Sequence, residues 1–100
     1  MQITLANRAA IVTGGSKGIG YAIASRFAAS GADVMIAARG REALDAALKT
    51  ISATARGRLA GVQGDVAVAT DIRKIYDEAM RVFGKVDIVV NNAGTSRNGA

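Results

Sequence analysis

Short apolar runs rich in β-branched residues alternate with longer amphipathic patterns along the chain. A compact apolar run bounded by glycine or polar residues is typical of a buried parallel strand. Segments of this kind predict strands at Ala9–Thr13, Asp33–Ala38, Leu59–Gln63 and residues 86–90.

Helical periodicity fills the segments between the predicted strands. In the first of them, large apolar residues fall four positions apart and predict one face of a helix at Ile19, Ile23 and Phe27. Small residues beside them, Ala22 and Ala24, are expected to permit close approach to the sheet. The second carries its apolar stripe at Leu44, Ala47, Leu48 and Ile51. The third has the most complete stripe, at Ile72, Ile75, Tyr76, Ala79, Met80 and Phe83.

Residues suited to end or begin a helix flank these patterns. Gly31 and Gly84 are placed to end the first and third helices. Thr70 or Asp71 is predicted to cap the start of the third helix.

The regular alternation of strand and helix is the signature of right-handed βαβ crossovers. We therefore predict the α/β class: a partial Rossmann-like, doubly wound parallel sheet with four strands in the order 3-2-1-4 and three helices. The fourth strand would be an apolar edge, which natural sheets normally pair or cover. The chain is therefore expected to be the front part of something longer.

Composition narrows the possible functions. Of 100 residues, 50% are hydrophobic and 21% are charged, which is typical of a folded globular chain. Cysteine and histidine do not occur, so disulfides and the usual zinc ligand sets are excluded and no metal site is predicted. We see neither an apolar run long enough to cross a bilayer nor a secretory signal pattern, and expect a cytoplasmic protein with no membrane partner.

The net charge of +5 is compatible with an anionic partner. A basic nucleic-acid-binding module is the alternative from another functional class. The basic residues form no stripe, however, and aromatic residues that could stack on bases make up only 4% of the chain. We therefore expect no nucleic-acid partner.

The most informative segment is Thr13-Gly14-Gly15-Ser16-Lys17-Gly18-Ile19-Gly20, between the first predicted strand and the first predicted helix. Gly14 suits a tight turn, Gly18 lets backbone approach a pyrophosphate, and Gly20 lets the helix pack close to the sheet. The helix start, which includes Ile19, offers unpaired N–H donors to an anion. Ser16 either adds a hydroxyl to the phosphate or only stabilises the turn. This context favours dinucleotide binding over a plain glycine-rich loop.

The spacing Thr-Gly-x-x-x-Gly-x-Gly resembles that of the short-chain dehydrogenase/reductase family. Two later motifs carry the resemblance over nearly the whole chain: Gly64-Asp65-Val66 after the third strand and Asn91-Asn92-Ala93-Gly94 after the fourth. The resemblance implies hydride transfer between a nicotinamide cofactor and a small carbonyl or alcohol substrate. It also implies that residues 1–100 are the N-terminal NAD(P)-binding part of a single Rossmann-fold domain, and that the full-length protein is a dimer or tetramer.

The end of the second predicted strand bears on the choice of cofactor. An NAD site usually places a carboxylate there to accept from the ribose hydroxyl. This strand instead ends in Ala37-Ala38-Arg39-Gly40, and its acid, Asp33, lies at the opposite end. Arg39 and Lys17 are predicted to bind the 2′-phosphate of NADP, with Arg41 adding to the positive field nearby, so NADP is expected rather than NAD.

The resemblance assigns further cofactor contacts. Asp65 would accept a hydrogen bond from the adenine amino group, unless it only satisfies its own turn, and the Val66 N–H would face a ring nitrogen. Asn92, Ala93 and Gly94 would line the adenosine-ribose side. Asn91 is expected to tie the fourth strand to its neighbours.

No catalytic residue is predicted within the chain. The family uses a tyrosine followed four positions later by a lysine, whereas Tyr21 is followed by Ser25 and Tyr76 by Met80. The catalytic half would lie beyond these residues, and they alone would be inactive. A non-catalytic dinucleotide-binding fragment remains the alternative.

Overall fold

A computed structural model describes residues 4–92 of the chain. The strands are β1 (Ala9–Thr13), β2 (Asp33–Ala38), β3 (Leu59–Gln63) and β4 (Ile88–Asn91). The helices between them are α1 (Gly18–Ala29), α2 (Arg41–Ser52) and α3 (Ala69–Phe83). All strand pairs are parallel and the order is β3-β2-β1-β4, which confirms the predicted fold class.

Strands β1 and β2 are buried along almost their whole length because helices cover both faces of the sheet. One face packs on α1 and α2 around a core that includes Val12, Val34, Ile36 and Leu44. The opposite face packs on α3, with Met35 and Ile75 in its core. Burying a side chain of this size contributes about 1.5–3 kcal/mol.

The predicted buried face of α1 is partly wrong. Ile19 is 72% exposed, and the residues that α1 buries are Gly20, Ala24 and Ala28. These small residues let the helix lie close against the sheet, while Ile23 and Phe27 pack beside them at the edge of the core. The large apolar positions therefore flank the contact instead of forming its centre.

Helix α3 differs from the prediction at its start and along its stripe. It begins at Ala69 after Val68, with no side-chain cap, so neither Thr70 nor Asp71 is the cap residue. Ile75, Ala79 and Phe83 are buried, but the other half of the predicted stripe is exposed at Ile72, Tyr76 and Met80. Among the described residues, no second helix packs beside α3 on this face of the sheet, so the side of α3 that carries these three residues stays exposed. Gly84 ends the helix in a left-handed conformation, as predicted.

Strand β4 begins at Ile88, two residues later than predicted. The preceding residues are held by Asp87, whose carboxylate accepts from the Ala9 N–H at 2.9 Å and whose N–H donates to the Ala9 carbonyl at 2.8 Å. Asp87 also forms an ion pair with Lys85 at 3.1 Å. The Asp87 carboxylate thus takes the place of a backbone carbonyl as the acceptor for the Ala9 N–H where the strand enters the sheet.

Among residues 4–92, no helix has the length and apolar character that a bilayer crossing needs.

Candidate dinucleotide-binding site

The carboxyl ends of the strands bring the sequence motifs together at one edge of the sheet. In the strand register, Thr13 lies beside Ala37 on one side and Asn91 on the other. Ala38 lies beside Gln63. The segments that follow the strands therefore line up across this edge in the order Asp65, Arg39, residues 14–20 and Asn92.

Residues 14–20 form a turn with free main-chain donors, here called the glycine turn. The Gly14 N–H donates to the Ala37 carbonyl at 2.8 Å, which fixes the start of the turn to β2. From Gly15 to Gly20, the backbone N–H groups have no acceptor among residues 4–92. Consecutive unbonded amides at a helix start make a binding site for an anion.

Two glycines of this turn serve different purposes. Gly18 has a φ of +58°, and a Cβ there would meet nothing within 4 Å, so the space in front of it is open. At Gly20, a Cβ would lie 2.3 Å from the Gly14 oxygen and 2.8 Å from Asn92 Nδ2. Gly20 is therefore required for close packing, as predicted, whereas Gly18 leaves room for a ligand beside the backbone.

Thr13 connects the glycine turn to the end of β4. Its Oγ1 lies 3.0 Å from Asn91 Oδ1 and 3.3 Å from the Val90 oxygen, and it accepts from the Asn92 N–H at 3.0 Å. The expected structural role of Asn91 agrees with this contact. Asn92 is half-buried and lies over Gly20.

An open cleft of about 270 Å³ adjoins the ends of β2 and β3 and the start of α3. It is called the β2–β3 cleft and is lined by Arg39, Gln63, Gly64, Asp65, Asp71 and Lys74. Gln63 Nε2 donates to the Arg39 carbonyl at 2.8 Å, which holds the backbone of Arg39 against β3.

Arg39 and Lys17 carry charges without a partner in the described part of the chain. Both are exposed, and no carboxylate of residues 4–92 lies within 4 Å of either. Arg41 differs, because it pairs with Asp45 on α2 at 3.3 Å. Asp33 is paired with Arg58 at the far end of β2 at 2.9 Å. The end of β2 thus presents the Arg39 cation and no acid, and the neighbouring glycine turn adds Lys17.

Asp65 is fixed while one of its oxygens stays available. Its Oδ1 accepts from the Ala67 N–H at 2.9 Å, the turn contact considered as the alternative role of this residue. Its Oδ2 has no partner among residues 4–92. The neighbouring Val66 N–H also has no acceptor in that range. A free acceptor and a free donor are consequently adjacent along the chain.

Sequence reasoning missed Gln63, Asp71 and Lys74 as residues of the cleft. For Asp71 a signal existed, because an acid shortly after Gly64-Asp65-Val66 can reach back to that turn. The predicted site residues Ala93 and Gly94 lie outside the described residues.

Both tyrosines lie in helices, and neither is followed four positions later by the lysine that the catalytic pair requires. Tyr21 packs against the core on the α1 face, and Tyr76 is 48% exposed on α3. The described residues therefore hold a candidate cofactor site without the family's acid/base pair.

A parallel sheet with unbonded amides after its first strand defines the class of Rossmann-type nucleotide-binding folds. The model of the short chain dehydrogenase family matches residues 8–100. The chain belongs to this family of oxidoreductases.

Similar proteins agree with the family. The chain is 43% identical over 94 residues to 3beta-hydroxysteroid dehydrogenase 2 of Eggerthella lenta, covering 94% of the chain and 36% of that protein. L-Sorbose reductase of Gluconobacter frateurii, solved with NADPH and L-sorbose, matches with a TM-score of 0.91 and 35% identity over 100% of this chain and 38% of that one. RhlG of Pseudomonas aeruginosa, solved with NADP, matches with a TM-score of 0.84 and 38% identity over 94% and 37%. The chain spans about a third of the length of the relatives it matches.

Proposed function

We propose that this chain is the NADP-binding part of an oxidoreductase that transfers hydride between nicotinamide and a small carbonyl or alcohol substrate. Family membership supports the nicotinamide cofactor, which supplies the hydride-accepting or hydride-donating ring when it is bound. The observation that carries the preference for NADP is the pair of unpartnered cations, Lys17 and Arg39, together with the lack of an acid at the end of β2, where an NAD site usually has one.

The cofactor diphosphate is assigned to the glycine turn. The free amides from Gly15 to Gly20 are the donors a diphosphate needs, and the open space at Gly18 admits it without a steric clash. The α1 start adds the positive end of the helix dipole. Ser16, half-buried in the same turn, is assigned a supporting hydroxyl contact.

The 2′-phosphate is assigned to Arg39 and Lys17. Because β1 and β2 are neighbours, the glycine turn and Arg39 flank the same stretch of the edge. Arg39 would bind the phosphate through its planar guanidinium and Lys17 would add a point charge. A carboxylate at this place would repel the phosphate, and Asp33 is held at the opposite end of β2 by Arg58.

The adenosine is assigned to the ends of β3 and β4. Asp65 Oδ2 and the Val66 N–H offer an acceptor beside a donor, which matches the amino group and ring nitrogen on the edge of adenine. Asn92, together with Ala93 and Gly94, is assigned to the ribose side. The β2–β3 cleft would hold the adenine, with Arg39 on one wall.

The reaction itself requires residues outside this chain, since the Tyr-x-x-x-Lys pair is absent from it. We propose that residues 1–100 are the N-terminal part of a single domain and are inactive alone, with a cytoplasmic, dimeric or tetrameric full-length protein. A non-catalytic dinucleotide-binding fragment is the alternative, and turnover of any carbonyl substrate by the full-length protein would exclude it.

Replacing Arg39 tests the cofactor assignment. In the full-length protein, Arg39→Ala should lower the preference for NADPH over NADH at least about tenfold, because a charge-assisted hydrogen bond contributes about 1.5–3 kcal/mol. Dissociation constants for both cofactors from calorimetry give this ratio.

Arg26→Ala is the matched control. Arg26 is an exposed cation in the last turn of α1, at the opposite edge of the sheet, and its removal should leave the ratio unchanged. An unchanged ratio in Arg39→Ala would remove the 2′-phosphate assignment. No saturable binding of NADPH to the unmodified protein would overturn the proposed function as a whole.

A further inference from the structure

Asp65 is held at several points, which is more than a solvent-facing turn requires. Its N–H donates to Asp71 Oδ2 at 2.8 Å, and its carbonyl accepts from the Val68 N–H at 2.9 Å. Its Oδ1 accepts from the Ala67 N–H at 2.9 Å. Only Oδ2 is left without a partner among residues 4–92, so its direction is set by the surrounding bonds.

Of the residues that bond to Asp65, Asp71 is the one that belongs to α3. It lies in the first turn of that helix and is half-buried. Its Cβ would be 3.6 Å from a Cβ placed on Gly64, so the side chain packs directly over the turn that precedes Asp65.

The carboxylate of Asp71 is committed to this backbone contact and not to a cation. Lys74, one helical turn further on, is in the usual position for an ion pair, yet no cation of residues 4–92 lies within 4 Å of Asp71. An amide that donates to a charged carboxylate forms a stronger bond than one that donates to a neutral acceptor.

We propose that Asp71 is a positioning residue for adenine recognition: by holding the Asp65 N–H, it aims Asp65 Oδ2 and the Val66 N–H at the base. This inference rests on the adenine assignment made under the proposed function. Loss of the Asp71 acceptor would free the Asp65 backbone to rotate, and the two groups would no longer present a fixed acceptor and donor.

Hypoxanthine provides a probe for this arrangement. It carries a carbonyl where adenine has the amino group, and its adjacent ring nitrogen bears a hydrogen, so both hydrogen-bonding roles are reversed. The full-length protein should therefore bind NADPH at least about tenfold more tightly than nicotinamide hypoxanthine dinucleotide phosphate. The ratio of the two dissociation constants reports on the base and is insensitive to losses at the phosphates.

The variants separate positioning from a general effect of helix charge. Asp71→Ala should reduce the adenine-to-hypoxanthine ratio at least about fivefold, whereas Asp71→Asn, which keeps an acceptor oxygen, should retain most of it. If Asp71 served only as a negative charge at the helix start, both variants would behave alike. Asp77→Ala, at an exposed acid of the same helix paired with Arg73, is the matched control.

The outcomes distinguish the two proposals. A normal ratio in Asp71→Ala, with discrimination intact in the unmodified protein, would overturn the positioning role alone. Equal binding of the two cofactors by the unmodified protein would instead overturn the adenine assignment itself.

Hydrogen exchange in the unmodified protein gives a measurement that does not depend on variants. Without cofactor, the Asp65 amide should exchange slowly because it is bonded to Asp71, and the Val66 amide should exchange rapidly. NADPH should slow exchange at Val66. Rapid exchange at Asp65 without cofactor would contradict the positioning contact.

Discussion

The glycine turn and the β2–β3 cleft are neighbours at one edge of the sheet, but they offer different kinds of groups. The turn presents main-chain N–H donors from Gly15 to Gly20. The cleft presents side chains, among them the Asp65 carboxylate, which the Ala67 N–H orients, and the Arg39 guanidinium, whose backbone is held against β3 by Gln63.

This difference separates affinity from selectivity. In the proposed site, backbone amides would bind any diphosphate, so the turn would not distinguish NADP from NAD or adenine from another base. The side chains assigned to the cofactor at the ends of β2 and β3 would make that distinction, because an added phosphate or a changed base alters their hydrogen bonds and charges. Changes in the turn should therefore weaken both cofactors together, and changes in the cleft should alter their ratio.

Gly20→Ala should have the largest effect. The new Cβ would overlap the Gly14 oxygen, a backbone atom that cannot rotate away, so the turn must shift. Misplacing two or three amides, each worth about 0.5–1.5 kcal/mol, should weaken NADPH and NADH alike on the order of a hundredfold. Titration of both cofactors measures this effect.

Gly18→Ala serves as the comparison for that variant. The new Cβ would meet no neighbouring atom, but an alanine would have to adopt the positive φ of this position. That conformation costs about 1–2 kcal/mol for a residue with a side chain. The resulting loss of affinity should be the same for NADPH and NADH. A selective loss of NADPH in either glycine variant would contradict the division between turn and cleft.

Lys17→Ala should have a smaller effect. Although Lys17 belongs to the turn, the variant should change selectivity, because the side chain of Lys17 and not its backbone is assigned to the 2′-phosphate. NADPH binding should weaken about three- to tenfold, less in high salt, and NADH binding should stay unchanged. Cofactor titrations at two salt concentrations measure this effect. Lys49→Ala, an exposed lysine of α2, is the control. An equal loss for both cofactors would assign Lys17 to the diphosphate instead.

Asp87→Asn should leave selectivity unaffected and change stability alone. The Ala9 N–H, followed by Lys85, lowers the pKa of the Asp87 carboxyl from its ordinary value of 3.8. Its contribution to the free energy of unfolding is therefore complete above that value and is lost as the pH falls through the lower folded pKa.

The variant should be less stable than the unmodified protein at neutral pH and equally stable in strong acid, as measured by urea unfolding across pH. Asp77→Asn, at a more exposed ion pair, should show a smaller difference. A stability gap for Asp87→Asn that is independent of pH would exclude the charge of Asp87 as its cause.

The strands could be predicted because each is a short local run of apolar residues, although only β1 and β2 are buried along almost their whole length. Strands β1, β2 and β3 have the predicted bounds. The faces of the helices were only partly predictable: Ala24 is buried, as its small size suggested, but Ile19 on the predicted face is exposed. Similarly, β4 begins two residues later than predicted, after Asp87, whose carboxylate bonds to the distant Ala9.

The same limit applies to the site. The glycine turn could be predicted because its function depends on consecutive residues. Lys74 could not, because it reaches the cleft only when α3 packs beside the ends of β2 and β3, whereas the contact of Asp71 with the Asp65 N–H spans six residues and left a signal that was missed. A site made of main-chain groups is encoded by consecutive residues and can be recognised as a motif. A site made of side chains from separate elements depends on how the fold brings them together.

The contact of Thr13 with β4 has a consequence for the energetics of binding. One hydroxyl joins the last residue of β1 to Asn91 and Asn92, so the glycine turn and the end of β4 keep a fixed separation before any ligand arrives. The entropy of bringing these segments into register is spent during folding. The proposed dinucleotide would therefore meet a preformed spacing between these two segments, and a ligand with a linker of another length would have to distort the end of the sheet to fit it.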